Sequence, residues 1–237
     1  MPGDSFRFKR FTVRQDRCAM KVTTEGCLFG AWLARQDIQP GRILDIGAGT
    51  GLLMLMAAQT FDCPVEGIEI DPSAAAQARE NLATSPWSDR LTLYEGDVKG
   101  FHSGIEYGLM VSNPPFHSGS LRSGDPKINM ARHDDSLPLK ELFRACERLS
   151  SADGSIVVWL PCERSGEWES IIVGNGWNVH SRLQVRKQRD GAPFRTMTLS
   201  SRKTCPSPME EEVHIRESDG TYGDLFREWL RPYYLFL

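Results

Sequence analysis

Short hydrophobic runs alternate with longer helical patterns through most of the chain. The short runs predict strands over residues 43–46, 65–70, 91–94, 109–112 and 156–160. The stretches between them predict helices after the Thr23-Thr24 pair, after the glycines near residue 50, from Pro72 onward and over residues 139–149. Such alternation predicts a right-handed, doubly wound α/β domain with a mostly parallel sheet.

The pattern changes after Trp177. Two further strands are predicted over residues 178–185 and 195–200 with no helix between them, which indicates an antiparallel hairpin at the edge of a seven-stranded sheet. We therefore expect a single domain over residues 1–237. It comprises a basic N-terminal segment (residues 1–22), a core (residues 23–203) and a tail (residues 204–237). We expect the apolar end of the tail to dock on the core.

The composition is that of an ordinary globular protein. The 237 residues are 40% hydrophobic and 25% charged, which suffices for one full-sized core. No run approaches the roughly 18 apolar residues that cross a bilayer, and the first residues lack the apolar region of a signal peptide. We expect a cytoplasmic monomer with no membrane partner. The 6 cysteines are irregularly spaced and form no zinc-binding pattern, so we expect reduced thiols and no metal.

The net charge of −3 conceals two basic stretches. Up to residue 21 six bases face two acids, and between residues 182 and 203 Asp190 alone opposes seven bases. Both stretches could neutralise phosphates, with interleaved phenylalanines stacking on bases. The alternative, which charge runs alone favour, is a solvated surface with its aromatic residues in the core. The candidate RNA contacts in these stretches are Arg7, Lys9, Arg10, Arg14, Arg186 and Lys187.

A glycine cluster lies between the first predicted strand of the core and its helix. Glycines let the backbone turn sharply and approach a ligand closely. An acid at the end of the next strand, Glu69, can accept hydrogens from both hydroxyls of a ribose, and Asp97 after the third strand could bind the amine of an adenine. The alternative is a glycine turn whose carboxylates merely cap helices. The predicted cofactor-binding residues at these strand ends are Asp45, Gly47, Ala48, Gly49, Gly51, Glu69, Ile70, Asp97 and Val98.

The sequence Asn113-Pro114-Pro115-Phe116 follows the fourth predicted strand of the core, at the same edge of the sheet. An aromatic amine is a poor nucleophile because its lone pair is delocalised into the ring. The Asn113 side-chain oxygen and the Pro114 carbonyl can each accept an N–H bond and so favour the pyramidal geometry that attack requires. Pro115 helps to fix that carbonyl, and Phe116 can stack on the base. The isolated tripeptide would favour a mere turn, whereas its position after this strand favours catalysis.

These motifs resemble known methyltransferase signatures. The G-x-G-x-G spacing resembles motif I of class I methyltransferases, and Asn-Pro-Pro-Phe resembles the signature of enzymes that methylate adenine N6, guanine N2 or glutamine amide nitrogen. Beyond the motifs, the chain resembles the bacterial tRNA1(Val) adenine-N6 methyltransferases, which modify adenosine 37, from Phe6 to Leu237. The similar segments are FRFKRFTVRQDRCAMKVTTEG, LDIGAGTGLL, EIDPSAAAQARENLATSPW, VSNPPF, the MAR of residues 130–132 and YYLFL.

The resemblance implies a Rossmann-like class I methyltransferase fold, S-adenosylmethionine as cofactor and tRNA as partner. It also implies that Lys21, Val22 and Thr23 line the methionine end of the cofactor and that Asp45 lies near its amino group. Arg132 follows the catalytic loop at a distance that could return it to the pocket rim, where it would suit a phosphate.

The leading hypothesis is therefore methyl transfer to adenine N6 in tRNA. Phe116 replaces a tyrosine common in the family, and phenylalanine is also familiar in guanine-N2 enzymes. The rival hypotheses are guanine-N2 methylation of ribosomal RNA, glutamine-N5 methylation of a protein and a non-catalytic RNA-binding protein that retained the fold.

Overall fold

A mixed eight-stranded sheet forms the centre of the computed structural model, which describes residues 3–18, 21–114 and 137–237. The strands are β1 (Ser5–Arg7), β2 (Thr12–Arg14), β3 (Ile43–Ile46), β4 (Val65–Glu69), β5 (Leu91–Glu95), β6 (Tyr107–Ser112), β7 (Ser150–Pro161), β8 (Asn178–Gln188), β9 (Pro193–Ser201) and β10 (Met209–Arg216). The helices are α1 (Thr24–Leu33), α2 (Leu52–Thr60), α3 (Pro72–Ala83), α4 (Leu139–Leu149), α5 (Cys162–Gly174) and α6 (Asp224–Leu230), with a 3-10 turn over Ser88–Arg90.

The strand order of the sheet is β10-β8-β9-β7-β6-β3-β4-β5. Strands β3 to β7 pair in parallel, β9 runs antiparallel to both of its neighbours, and β10 pairs in parallel with β8. Because the carboxyl ends of parallel strands meet at one edge, the loops after β3, β4, β5 and β6 gather there. The described residues include no helix long and apolar enough to cross a membrane.

Two hydrophobic cores cover the two faces of the sheet. Alternate residues of one strand enter different cores, as Val157 and Val158 of β7 show. Helices α1, α2, α3 and α6 pack into the first core, whereas α4 and α5 pack into the second. The domain is therefore doubly wound, as the alternation of strands and helices predicts.

The N-terminal aromatic residues belong to the first core. Strands β1 and β2 form a separate hairpin, and the rings of Phe8 and Phe11 within it stack with centroids 4.4 Å apart. Phe8 is 1% exposed and Phe11 6%, and they contact Tyr234 of the tail and Trp87. These rings are therefore core residues, and they offer no platform to a base.

Most of the predicted elements are confirmed. Residues 43–46 and 139–149 form β3 and α4 with the predicted bounds, and the other predicted core strands are each present with bounds that differ by a few residues. Thr23 caps α1 by accepting a hydrogen bond from the Gly26 N–H at 3.0 Å, and Pro72 is the first residue of α3.

The predicted edge position of the β8–β9 hairpin is wrong. The hairpin itself is confirmed as an antiparallel pair, but β10 of the tail covers the outer side of β8 and raises the strand count from seven to eight. Three consecutive glutamates hide this strand in the sequence, yet each finds a partner in the fold. The pairs are Glu210 with Arg182, Glu211 with the indole N–H of Trp32, and Glu212 with Arg186.

Candidate functional site

The glycine loop after β3 has a backbone that only glycine adopts readily. Gly47, Gly49 and Gly51 have φ values of 78°, 55° and 79°, in the left-handed region. A Cβ added at Gly47 or Gly49 would meet nothing within 4 Å, so the loop leaves open space beside its backbone. The loop therefore bounds a cleft at the carboxyl edge of the sheet.

Asp45 is the most unusual residue of this edge. It is 1% exposed, and neither of its carboxylate oxygens has a hydrogen-bond partner among the described residues. Burial, reinforced by the negative charge of Glu69, raises the pKa of Asp45 to about 8. A buried carboxylate without a partner is costly, so its retention indicates a site for a cationic or hydrogen-bond-donating group.

Glu69 organises the loops around that carboxylate. One of its side-chain oxygens accepts the Gly49 N–H at 2.7 Å, and the other accepts the Asp71 N–H at 2.9 Å. It therefore holds the glycine loop against the end of β4. Each carboxylate oxygen has a second lone pair, so acceptance of ribose hydroxyls remains compatible with both bonds.

The residues beyond β4 and β5 complete this edge. Ile70 follows Glu69 and is 64% exposed, an apolar face suited to an adenine ring. Asp97 accepts the Lys99 N–H at 2.9 Å and pairs with the Lys99 ammonium at 3.1 Å, while Val98 is buried. The Asp97 side chain stays partly exposed, with 39% accessibility. The predicted cofactor residues of three strands thus share one edge of the sheet.

Asn113 and Pro114 lie beside the glycine loop. Ile46 and Ser112 are paired residues at the ends of β3 and β6, and the Ser112 hydroxyl donates to the Ile46 carbonyl at 2.9 Å. Adjacent strands lie about 4.8 Å apart, so the two loops leave the sheet side by side. Asn113 is half-buried and Pro114 is buried. Ser112 anchors both loops, a role that the sequence does not reveal.

Part of the predicted site lies outside the described residues. Pro115, Phe116 and Arg132 fall in the segment 115–136. Their predicted roles stay predictions.

The segment before α1 is bound to the glycine loop by buried amides, which the sequence analysis missed. Asn81 accepts the Arg14 N–H at 2.8 Å and donates to the carbonyls of Arg14 and Thr50, each at 2.9 Å. Gln15 accepts the Val22 N–H at 2.8 Å and so fixes the residues next to Thr23. An amide on a helix face carries no sequence signal that distinguishes such a bridge from a solvated side chain.

The two basic stretches differ in how their charges are compensated. Arg186 binds both oxygens of Glu212, at 2.6 and 2.9 Å, and Arg189 pairs with Glu217 at 3.3 Å. Lys187 is exposed, with its ammonium 5.0 Å from the centroid of the Phe194 ring. In the N-terminal stretch, Arg17 pairs with Glu80, but four other bases have no carboxylate within 4.0 Å of their charged nitrogens among the described residues. These bases are Arg7, Lys9, Arg10 and Arg14, and all four are exposed.

Comparison with known proteins identifies close relatives. The family model described as Methyltransferase small domain matches residues 28–134. A Dyadobacter fermentans protein named tRNA1(Val) (adenine(37)-N6)-methyltransferase is 41% identical over 241 residues, 99% of either chain. A Pectobacterium carotovorum protein of the same name is 36% identical over 240 residues, 99% of this chain and 95% of that one.

Solved structures share the fold. A predicted O-methyltransferase from Agrobacterium tumefaciens superposes with a TM-score of 0.63 at 16% identity, covering 87% of this chain and 95% of that one. A glycopeptide N-methyltransferase in complex with S-adenosyl-L-methionine superposes with a TM-score of 0.53 at 16% identity, over 76% and 93% of the two chains. The predicted Rossmann-like methyltransferase fold is confirmed.

Proposed function

This chain belongs to the tRNA1(Val) (adenine(37)-N6)-methyltransferase family, and from that premise we propose that it transfers a methyl group from S-adenosylmethionine to N6 of adenosine 37 in a tRNA. The observation that carries the proposal is the position of Asn113 and Pro114 beside the glycine loop, which follows the strand that bears the buried carboxylate of Asp45. An amide acceptor and a cofactor cleft on adjacent strand ends are what amine methylation requires.

The residues of the cleft fit the cofactor. Asp45 offers a buried anion to the amino group of the methionine part, and Glu69 keeps acceptor capacity for the ribose. Ile70 supplies an apolar face for the adenine, and Asp97 supplies an acceptor for its exocyclic amine. Lys21, Val22 and Thr23 would line the methionine end, since Gly26 of α1 lies against Leu52 at the start of α2.

The residues of the protein contribute to the reaction by orienting the adenine amine toward the cofactor. When bound, S-adenosylmethionine supplies a methyl group made electrophilic by its sulfonium. The Asn113 side-chain oxygen and the Pro114 carbonyl accept the two N–H bonds of the adenine amine, which directs its lone pair away from the ring and toward the cleft. Pro115 would fix that carbonyl, and Phe116 would stack on the base. The methylated nitrogen is acidic and loses its proton without a strong base.

Replacement of the amide acceptor tests this assignment. We expect Asn113→Ala to lower kcat by at least about 100-fold, because one preorganised polar contact to the reacting group is lost. The Kd for S-adenosylmethionine, measured by calorimetry, should stay within about twofold of wild type, since Asn113 is assigned to the substrate. Asn175→Ala, at an exposed asparagine after α5, is the matched control. Undiminished methyl transfer by Asn113→Ala would refute the catalytic role of Asn113, whereas absence of methyl transfer by the wild type would favour a non-catalytic RNA-binding protein.

The identity of the methylated product tests which base is modified and whether the substrate is tRNA. Incubation with total tRNA and labelled cofactor, followed by nucleoside mass spectrometry, should yield N6-methyladenosine. Appearance of N2-methylguanosine, or methylation of protein glutamine, would overturn the choice of substrate.

The exposed N-terminal bases are the proposed first contacts of the RNA backbone, and Arg132 is proposed to contact a phosphate at the rim of the pocket. Arg186 is compensated by Glu212, so we assign Arg186 and Lys187 a smaller share of the RNA-binding energy.

We further propose that the enzyme acts as a monomer without a metal, in the cytoplasm. Within the residues that the structure describes, no three His, Cys, Asp or Glu side chains are grouped to hold a metal ion. Light scattering after size exclusion measures the oligomeric state, and activity in the presence of a chelator measures the need for a metal.

A further inference from the structure

A cationic cavity lies between the N-terminal hairpin and the C-terminal tail. A cavity of about 190 Å³ is lined by Lys9, Arg227, Arg231 and the last residues of the chain. The Lys9 ammonium donates to the Arg231 carbonyl at 2.6 Å, and the Lys9 N–H donates to the Tyr233 carbonyl at 2.8 Å. The N-terminal hairpin and the tail thus build this cavity together.

The charges of the cavity are uncompensated. Among the described residues, no carboxylate lies within 4.0 Å of the charged nitrogens of Lys9, Arg227 or Arg231. Glu228 of the same helix is paired instead with Arg35, at 3.6 Å. Arg227 lies in the last turn of α6 and Arg231 directly follows the helix, where the helix dipole favours cations. The cavity thus offers an anionic ligand three cations that no described carboxylate neutralises.

An exposed aromatic ring lies next to these charges. Leu235 and Leu237 line the cavity, and Phe236 between them is 90% exposed. An exposed phenylalanine ring is a natural stacking surface for a nucleobase. Asn81 hydrogen-bonds the backbone of both Arg14 and Thr50, so the N-terminal hairpin lies next to the glycine loop. The other bases of the hairpin therefore extend the positive charge from the cavity toward that loop.

From these observations, and resting on the proposed function, we infer that Lys9, Arg227 and Arg231 form a phosphate-binding site for the tRNA backbone and that Phe236 stacks on one of its bases. Helix α2 begins at the glycine loop and ends at Thr60, about 14 Å away at 1.5 Å per residue. The Tyr233 hydroxyl lies 3.1 Å from the Thr60 hydroxyl. The site is therefore remote from the methylated base and would hold a part of the tRNA outside the catalytic cleft.

The test compares tRNA binding by charge-removal variants of the full chain. We expect Arg227→Ala/Arg231→Ala to weaken binding about tenfold at physiological salt and to lower the slope of log K against log salt by about 1.5 to 2, since two phosphate contacts are lost. Phe236→Ala should weaken binding about tenfold with the slope unchanged, because stacking releases no counterions, and Phe236→Tyr should retain wild-type binding.

The control removes two arginines from the opposite face of the sheet. Arg144 of α4 and Arg164 of α5 pair with Glu141 and Glu167, so Arg144→Ala/Arg164→Ala changes the net charge equally without opening the cationic cavity. We expect tRNA binding within about twofold of wild type. The melting temperature and the Kd for S-adenosylmethionine of every variant, compared with wild type, show that the fold and the cofactor cleft are intact.

Three results would overturn the inference. Wild-type affinity and salt slope in Arg227→Ala/Arg231→Ala, with a wild type that binds and methylates tRNA, would refute this site alone. A wild type that neither binds nor methylates tRNA would refute the proposed function and this inference with it. The third result concerns anionic phospholipid vesicles. If Arg227→Ala/Arg231→Ala lost the binding to vesicles that the wild type shows and kept its binding to tRNA, the surface would be assigned to a lipid headgroup and the inference refuted.

Discussion

The buried carboxylate of Asp45, in the proposed cofactor site, is a source of instability in the free protein. Its folded pKa is about 8 against an ordinary 3.8, so the folded protein binds more protons than the unfolded chain between these values. Stability of the free protein therefore falls as pH rises from about 4 to 8. The amino group of S-adenosylmethionine would relieve that cost by pairing with the ionised carboxylate.

The variant Asp45→Asn distinguishes the effect of Asp45 on the stability of the free protein from its effect on cofactor binding. In the absence of cofactor we expect the variant to melt about 4 °C above wild type at pH 8.5, because the amide needs no ionisation, and to lose most of this advantage at pH 5. Scanning fluorimetry at the two pH values measures it. Calorimetry at pH 7.5 should show at least about tenfold weaker cofactor binding, since the charge-assisted pair is lost. A variant that is less stable than wild type at both pH values would contradict the assignment of Asp45.

Asn81 links two elements, the N-terminal hairpin and the glycine loop. Asn81→Asp keeps the shape of the side chain but replaces the group that donates to Arg14 and Thr50 with an acceptor that repels both carbonyls. We expect the melting temperature to fall by about 5 °C. Trypsin should cleave faster after Arg14 and Arg17, and calorimetry should show weaker cofactor binding.

The control for Asn81 is an exposed asparagine that makes a local bond. Asn175→Asp removes the bond donated to the Ile171 carbonyl at the end of α5, and we expect a change in melting temperature below about 1 °C. Equal effects of the two substitutions would contradict a bridging role of Asn81.

At the level of elements, the sequence predicts what local patterns encode and misses what distant partners stabilise. Strand β3 is fully buried, so its apolar run is unambiguous. Helix α5 was not predicted, because its buried side chains, Trp168 and Ile172, are too few to set a helical period. Strand β10 was hidden because the partners of its glutamates lie far away along the chain. The shortest of these separations, between Glu212 and Arg186, spans 26 residues.

The candidate site likewise contains features that local sequence patterns predict and features that depend on distant partners. Glycines, strand-end acids and Asn113-Pro114 could be placed from the sequence, because strand ends converge by topology. The unpartnered state of Asp45 and the bridge made by Asn81 could not, since each depends on which groups the folded chain brings within bonding distance. The compensation of Arg186 by Glu212 is equally invisible in a count of charges along the chain.

On the scale of the whole molecule, a net charge of −3 is compatible with binding RNA because the charges are segregated. Carboxylates pair with Arg182, Arg186 and Arg189 around β8. Among the described residues, by contrast, none lies within 4.0 Å of the charged nitrogens of the N-terminal hairpin or of Arg227 in α6. Association with an anionic backbone depends on this local potential rather than on the total charge.

We propose that the tail is part of the same folding unit as the core and that the chain unfolds as a single domain. Residues 204–237 supply β10 and α6, and they bury Phe226, Trp229, Leu230 and Tyr233 in the core. Each such side chain contributes about 1.5 to 3 kcal/mol, so their joint loss rivals the total stability of a typical domain, about 5 to 15 kcal/mol. A chain truncated after Lys203 should therefore lack a cooperative thermal transition, which calorimetry and circular dichroism would measure. A truncated chain that melts at the wild-type temperature would instead make the tail a dispensable appendage, with the cationic cavity on an independent element.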